Sequence, residues 1–231
     1  MKVQTDVMPP IHAIIFDFDG VIVESEILSG RILSQYLNEQ GIKITPSDAI
    51  TRFFGQRLRD TMPPFFAEQG RAMPPNLLTD LKARDAVAHE SELVAVAGAH
   101  TFIAGLGDFP RAIASSSATE VITRNLVKVG LDGAFGTHIY SAAKIERGKP
   151  HPDIYLQAAA GLRVDPAHCL AIEDSVTGAR AAVAAEMQVI GLLAGTHILD
   201  KAAHGALLSA VGVHRIARKY NEIQKYINVS R

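Results

Sequence analysis

Two aspartates stand two residues apart at the end of an apolar run, in Asp17-Phe18-Asp19-Gly20. Side chains of an extended chain repeat every second residue, so both carboxylates point the same way. Like charges that close repel, and the pair makes chemical sense if a cation sits beside it or if one member carries a proton. A solvated acidic turn is the plain alternative. Gly20 lets the chain turn sharply or brings its backbone close to a ligand. Three more segments carry complementary chemistry. Ser115-Ser116-Ser117 offers hydroxyl and backbone N–H donors ahead of a helical pattern, suited to an anion cradle or to an ordinary helix cap. Gly148-Lys149-Pro150 puts one lysine in a stiff connection, because proline confines the preceding residue to extended conformations. Glu173-Asp174-Ser175 is a second acidic pair, whose oxygens suit magnesium, although the tripeptide could equally cap the helix that follows.

Most of these groups follow apolar runs. Residues 11–18 read as a fully buried strand, 111–114 lead into the serines, 168–172 lead into the second acidic pair, and 187–192 are apolar again. Helical patterns at 119–129, 153–161 and 176–185 lie between them. Alternating strands and helices predict a parallel α/β sheet, whose functional groups gather at the strands' carboxyl ends. Residues 27 to 93 read differently. Amphipathic segments at 27–40 and 76–90 are broken by Gly41, Pro46, Gly55, Pro63-Pro64 and Pro74-Pro75, with no strand pattern. The expectation is a Rossmann-like α/β core formed by residues 1–24 and 94–231, with an inserted α-helical cap domain at 25–93. Patterning weakens after Gly195, and 213–227 alternates charged and apolar residues as a terminal helix would.

Composition narrows the field. A chain of 231 residues, 48% hydrophobic and 20% charged, has the makeup of an ordinary globular protein and can bury a sizeable core. A net charge of −1 supplies no basic field for nucleic acid or an anionic membrane. The single cysteine, Cys169, stands in an apolar segment and reads as a small buried hydrophobe. The nine histidines lack the close helical spacing of a zinc site on one element and read as solvated or structural. Residues 1–10 contain no apolar run fit for a signal peptide or anchor, so a cytoplasmic location is expected, with the chain a monomer or weak homodimer.

Carboxylate pair, hydroxyl, lysine and carboxylate pair recur in the order of four motifs, and on them the chain resembles the haloacid dehalogenase superfamily. Within it, the β-phosphoglucomutase-like and 6-phosphogluconate phosphatase-like enzymes are the most similar group. Residues 16–21 with Glu24-Ser25-Glu26 resemble the first motif and Ser115 the second. Lys149-Pro150 with Pro152-Asp153 resembles the third, and residues 172–175 with Gly178 the fourth. The resemblance covers residues 11 to 195 and implies a phosphohydrolase acting on a small phosphorylated metabolite. Asp17 would attack phosphorus, and Asp19 would act as acid and then base. Lys149 would offset charge, while Ser115, Ser116, Ser117 and Gly20 would border the phosphoryl group. Mg2+ would be held by Asp17, Glu173 and Asp174 with the backbone oxygen of Asp19.

Family branches differ at Asp19. Halide-releasing members lack the second aspartate, and the phosphonate-cleaving branch departs there and adds a Schiff-base lysine, so its presence favours phosphate esters. Mutase-like members carry a basic residue after the serine motif, where this chain has Ala118. The reading is therefore a phosphatase for a sugar phosphate or sugar-acid phosphate such as 6-phosphogluconate, with a sugar phosphomutase as one alternative and a non-catalytic phosphometabolite-binding protein as another. Arg57 and Lys82 of the insertion resemble the substrate-facing cations of sugar-acid phosphatases.

Overall fold

Strand β1 (Ala13–Phe16) is four buried apolar residues with no polar position, as a strand covered on both faces requires. The computed structural model describes residues 9–56, 58–142 and 145–228 and sets β1 inside a six-stranded sheet. On one side lie β2 (Arg111–Ser115) and β3 (Ile139–Ser141); on the other lie β4 (Cys169–Glu173), β5 (Gln188–Leu192) and β6 (Arg215–Ala217). The order is β3-β2-β1-β4-β5-β6 and every pair is parallel. Strand order reverses beside β1, and open α/β sheets bind ligands in the crevice at such a reversal. Phe16 is in register with Ile113 on one neighbour and Ile172 on the other. Asp17 and Glu173 therefore come level at the carboxyl edge.

Between β1 and β2 the chain leaves the sheet for α1 (Ser25–Glu39), α2 (Pro46–Phe53), α3 (Leu58–Glu68) and α4 (Leu77–Glu92). These helices enclose a hydrophobic cluster of their own, including Leu37, Phe53, Met62, Phe66, Leu77 and Leu81. The outgoing and returning chains are zipped together. Glu24 N donates to Val94 O at 3.0 Å, and Val96 N donates to Ile22 O at 2.9 Å. Helix α2 starts at Pro46 behind a capping box, in which the Thr45 hydroxyl accepts from Asp48 N and the Asp48 carboxylate accepts from Thr45 N. Pro63 and Pro64, read from sequence as a break, lie inside α3. They remove two amide donors there, and burial of Met62, Phe65 and Phe66 holds the helix together regardless.

Alternation along β1 divides the core beneath the sheet from the core above it. Ile14 and Phe16 join Phe102 of α5 (Ala99–Gly105), Leu126 of α6 (Thr119–Lys128) and Ile223 of α10 (Tyr220–Asn228). Ala13 and Ile15 join Tyr155 of α7 (Asp153–Leu162), Ala182 of α8 (Val176–Ala184) and Leu208 of α9 (Lys201–Ala210). Cys169 is fully buried in the second layer, and burial pushes its thiol up to about 11, which leaves it an inert hydrophobe. The helix expected over 213–227 proves to be β6 followed by α10, which starts only at Tyr220. In β6 the buried position is Ala217, a residue too small to mark an alternating pattern.

The capping box supplies a stability test. Thr45→Ala should lower unfolding free energy by about 1 kcal/mol in a urea titration. Removing the hydroxyl leaves the Asp48 amide without its partner, so an unchanged midpoint would mean that the box does not hold α2.

Candidate active site

Asp17 follows β1 directly, and its amide donates to Ile172 O of β4 at 2.9 Å, which anchors it on the strand edge. Lys149 comes from the loop ahead of α7. Its side chain is 6% exposed, and Nζ lies 2.5 Å from both Asp17 Oδ1 and Glu173 Oε1. Burial works against the lysine's charge, but the two carboxylates outweigh it and raise its pKa. For Asp17 the balance falls the other way. Burial raises its pKa well above the usual range, Lys149 opposes, and the neighbouring Glu173, Asp174 and Asp19 raise it further. One ammonium is too little for this cluster.

Glu173 has no capacity left over. Oε1 accepts from Lys149 and from the Tyr155 hydroxyl at 2.7 Å, while Oε2 accepts from the amides of Asp174 and Ser175 at 3.1 and 3.2 Å and from the Ser175 hydroxyl. Gly178 makes room for it, since a Cβ there would fall 1.7 Å from Oε1. Asp174 is the opposite case. It is 1% exposed, neither carboxylate oxygen has a hydrogen-bond partner, and burial followed by the Glu173 charge raises its pKa. Gly20, at φ +79°, leaves space for it, because a Cβ would sit 1.8 Å from Asp174 Oδ2. Ligand oxygens of Asp17, Glu173 and Asp174 lie within 4.8 Å of one another. A buried, all-oxygen set with orphaned acceptors and excess negative charge fits a hard divalent cation.

Asp19 is held separately. Its Oδ1 accepts from Ser25 at 2.7 Å, and its Oδ2 accepts from Ser117 at 2.7 Å and from Ser115 at 3.3 Å. Ser115, fully buried at the end of β2, also accepts from Ser117 N at 2.9 Å, which fixes the turn into α6. Asp17, Asp19, Ser116, Ser117, Lys149 and Asp174 line one cleft of about 500 Å³, roofed by α1, α2 and α4. Lys82 reaches the same cleft from α4 as an exposed side chain. Arg57 lies outside the described residues.

Several lining residues had no role assigned from the sequence. Ser25 stood within a motif but had no role assigned to it. Glu26 faces the cleft, and burial together with the Asp19 charge pushes its carboxyl up to about 8. Asp85 and His89, one turn apart on α4, line it too. His89 is buried, Asn125 contacts its Nδ1 at 3.2 Å, and burial lowers its pKa. His197 and Phe54 also come together at the site, from the turn after β5 and from the turn after α2. Isolated polar residues at helical spacing look like solvated faces until the roof is assembled.

The model of the haloacid dehalogenase-like hydrolase family matches residues 14–192. The 6-phosphogluconate phosphatase of Escherichia coli strain K12 is 28% identical over 191 residues, covering 82% of this chain and 86% of that enzyme. Hexitol phosphatase B of the same organism is 30% identical over 191 residues, covering 78% and 82%. Among solved structures, a family hydrolase from Deinococcus radiodurans R1 with bound phosphate and sodium aligns with TM-score 0.79 at 34% identity over 96% of each chain.

Asp85 provides a pH test of the roof. Burial pushes its carboxyl up to about 6, against a hydrogen bond from Ser29 that lowers it. The folded state thus holds a proton that the unfolded chain has lost between pH 4 and 6, and stability falls as pH rises through that window. Asp85→Asn should gain stability over wild type across the same window and plateau above it, on the order of 3 kcal/mol. Urea unfolding of both proteins from pH 4 to 8 measures this, and a difference independent of pH would contradict the burial.

Proposed function

We propose that this chain, which belongs to the haloacid dehalogenase-like hydrolase family, is a magnesium-dependent phosphatase that hydrolyses a small phosphorylated metabolite through a phosphoryl group carried on Asp17. The observation that supports it most is the pairing at the β1 edge. Asp17 is buried against the Lys149 ammonium at 2.5 Å, and Asp19 is turned away into serine hydroxyls. One carboxylate is thereby set up to attack and the other to move a proton.

Asp17 attacks phosphorus, forming an O–P bond while the ester P–O bond breaks, and Asp19 delivers a proton to the leaving oxygen. In the second half, Asp19 takes a proton from water as that water attacks phosphorus, and the bond to Asp17 breaks. Ser25, Ser115 and Ser117 keep Asp19 in place for both transfers. Ser116, the Ser117 amide region and Gly20 border the phosphoryl oxygens, and Lys149 offsets repulsion between Asp17 and the phosphate. Mg2+ would be held by Asp17, Asp174 and the backbone oxygen of Asp19, with Glu173 adding charge behind Lys149. When bound, it supplies the positive charge that keeps Asp17 ionised and neutralises phosphate.

The helical segment 25–93 acts in this reading as a cap over the core formed by 1–24 and 94–231, excluding water and contacting the rest of the substrate. Names of the relatives support a sugar phosphate or sugar-acid phosphate, 6-phosphogluconate included, and Lys82 and Arg124 of the cleft are cations available to an acidic substrate.

Phosphate release from a panel of sugar, polyol and sugar-acid phosphates tests the reading. Activity should require Mg2+ and disappear with EDTA. Asp17→Asn should fall below roughly one thousandth of wild type, and Asp19→Asn should slow turnover by about 10² to 10⁴. Activity of Asp17→Asn within tenfold of wild type would remove Asp17 as nucleophile, and full activity in metal-free buffer would remove the cation.

A further inference from the structure

The side chain of His197 is 1% exposed, and neither ring nitrogen makes a hydrogen bond. Its Nε2 lies 3.1 Å from Asp174 Oδ2 but out of hydrogen-bond alignment, so two buried polar groups stand side by side unsatisfied. Such groups are costly, and they persist where a third partner completes the set. The ring is wedged in place. A Cβ on Gly20 would come within 2.7 Å of His197 Cε1, and one on Gly195 within 2.5 Å. Glu24 secures the same turn by accepting from Thr196 N at 2.9 Å and from its hydroxyl at 2.7 Å.

A second imidazole holds Asp174 from behind. His204 of α9 hydrogen-bonds the Asp174 backbone carbonyl through Nε2 at 2.6 Å. Both rings are covered by one side chain, Phe54, with centroids 4.5 Å from His197 and 5.8 Å from His204. Phe54 belongs to the turn between α2 and α3. The next residue, Gly55, sits over the fourth motif, where its Cβ would lie 3.4 Å from Ser175 Cβ. That turn of the roof is therefore seated on the residues that brace Asp174.

We infer that His197 and His204 are positioning residues for Asp174 and that Phe54 holds them in place, so docking of the α2–α3 turn and binding of a divalent cation at Asp174 strengthen one another. The inference rests on Asp174 being a cation ligand, as proposed above. A cation that drew one Asp174 oxygen toward Asp17 would leave the other to accept the Nε2 proton of His197. Linkage is reciprocal: whatever the seated turn adds to cation affinity, the cation adds to seating of the turn.

Mn2+ titrated calorimetrically into the full chain, without substrate, tests the first half. Phe54→Ala should weaken binding roughly tenfold, within the usual range of coupling between two sites, and Phe54→Tyr should restore it. Hydrogen exchange tests the second half. Amides of residues 53–56 should exchange more slowly once Mn2+ is added to wild type, and this effect should vanish in Asp174→Asn. If Phe54→Ala does not fold, His197→Gln, which keeps a donor, should bind Mn2+ more tightly than His197→Ala. Wild-type Mn2+ affinity in a folded Phe54→Ala, equal affinities of the two His197 variants, or exchange at 53–56 that ignores the ion would each overturn the inference. Because no phosphate ester is present, intact coupling in a protein without turnover would count against the phosphatase reading alone. A wild type that binds no Mn2+ would overturn both the coupling and the cation site.

Discussion

A shortage of positive charge organises the site. The carboxyls of Asp17, Glu173 and Asp174 are gathered around one ammonium, that of Lys149, which spends its short contacts on Asp17 and Glu173. Left so, burial keeps Asp17 and Asp174 biased toward their protonated forms, and a protonated carboxyl is no nucleophile. In the proposed reading the arrangement becomes reactive when further positive charge arrives beside Asp174, neither of whose carboxylate oxygens has a hydrogen bond.

The sheet explains how such a cluster can be assembled from distant parts of the chain. Strands β1, β2 and β4 are neighbours, and their carboxyl ends deliver Asp17, Ser115 and Glu173 to one edge without any side chain having to reach. The helical insertion leaves and returns through adjacent backbone at Glu24 and Val94, so its roof can bear on the edge while the strands stay rigid. Glycines matter here for space. Gly20 and Gly178 lie where a single methyl group would displace Asp174 or Glu173.

Much of this was legible in the sequence because it rests on local patterns. Three polar clusters following apolar runs locate the ends of β1, β2 and β4, whereas Lys149 comes from the loop ahead of α7 and Pro46, read as a break, begins α2. What stayed hidden depends on contacts between distant segments. Strand β3 has three residues, too few to display a period, and α9 is alanine-rich with only Gly205 and Leu208 buried. Pro63 and Pro64 obey a local rule that tertiary burial overrides. His197, Asp85 and His89 are single residues whose significance arises only when the roof meets the core, and no spacing along the chain encodes that meeting.

If Asp17 itself takes the phosphoryl group, as proposed, hydrolysis proceeds by two displacements at phosphorus. Each in-line displacement inverts the phosphorus centre. A phosphorothioate ester made chiral at phosphorus with oxygen isotopes, turned over in isotopically distinct water with Mg2+ present, therefore reports the count directly. Transfer through Asp17 releases inorganic thiophosphate with overall retention of configuration, and overall inversion would show that water attacks the ester directly and that Asp17 never carries the group.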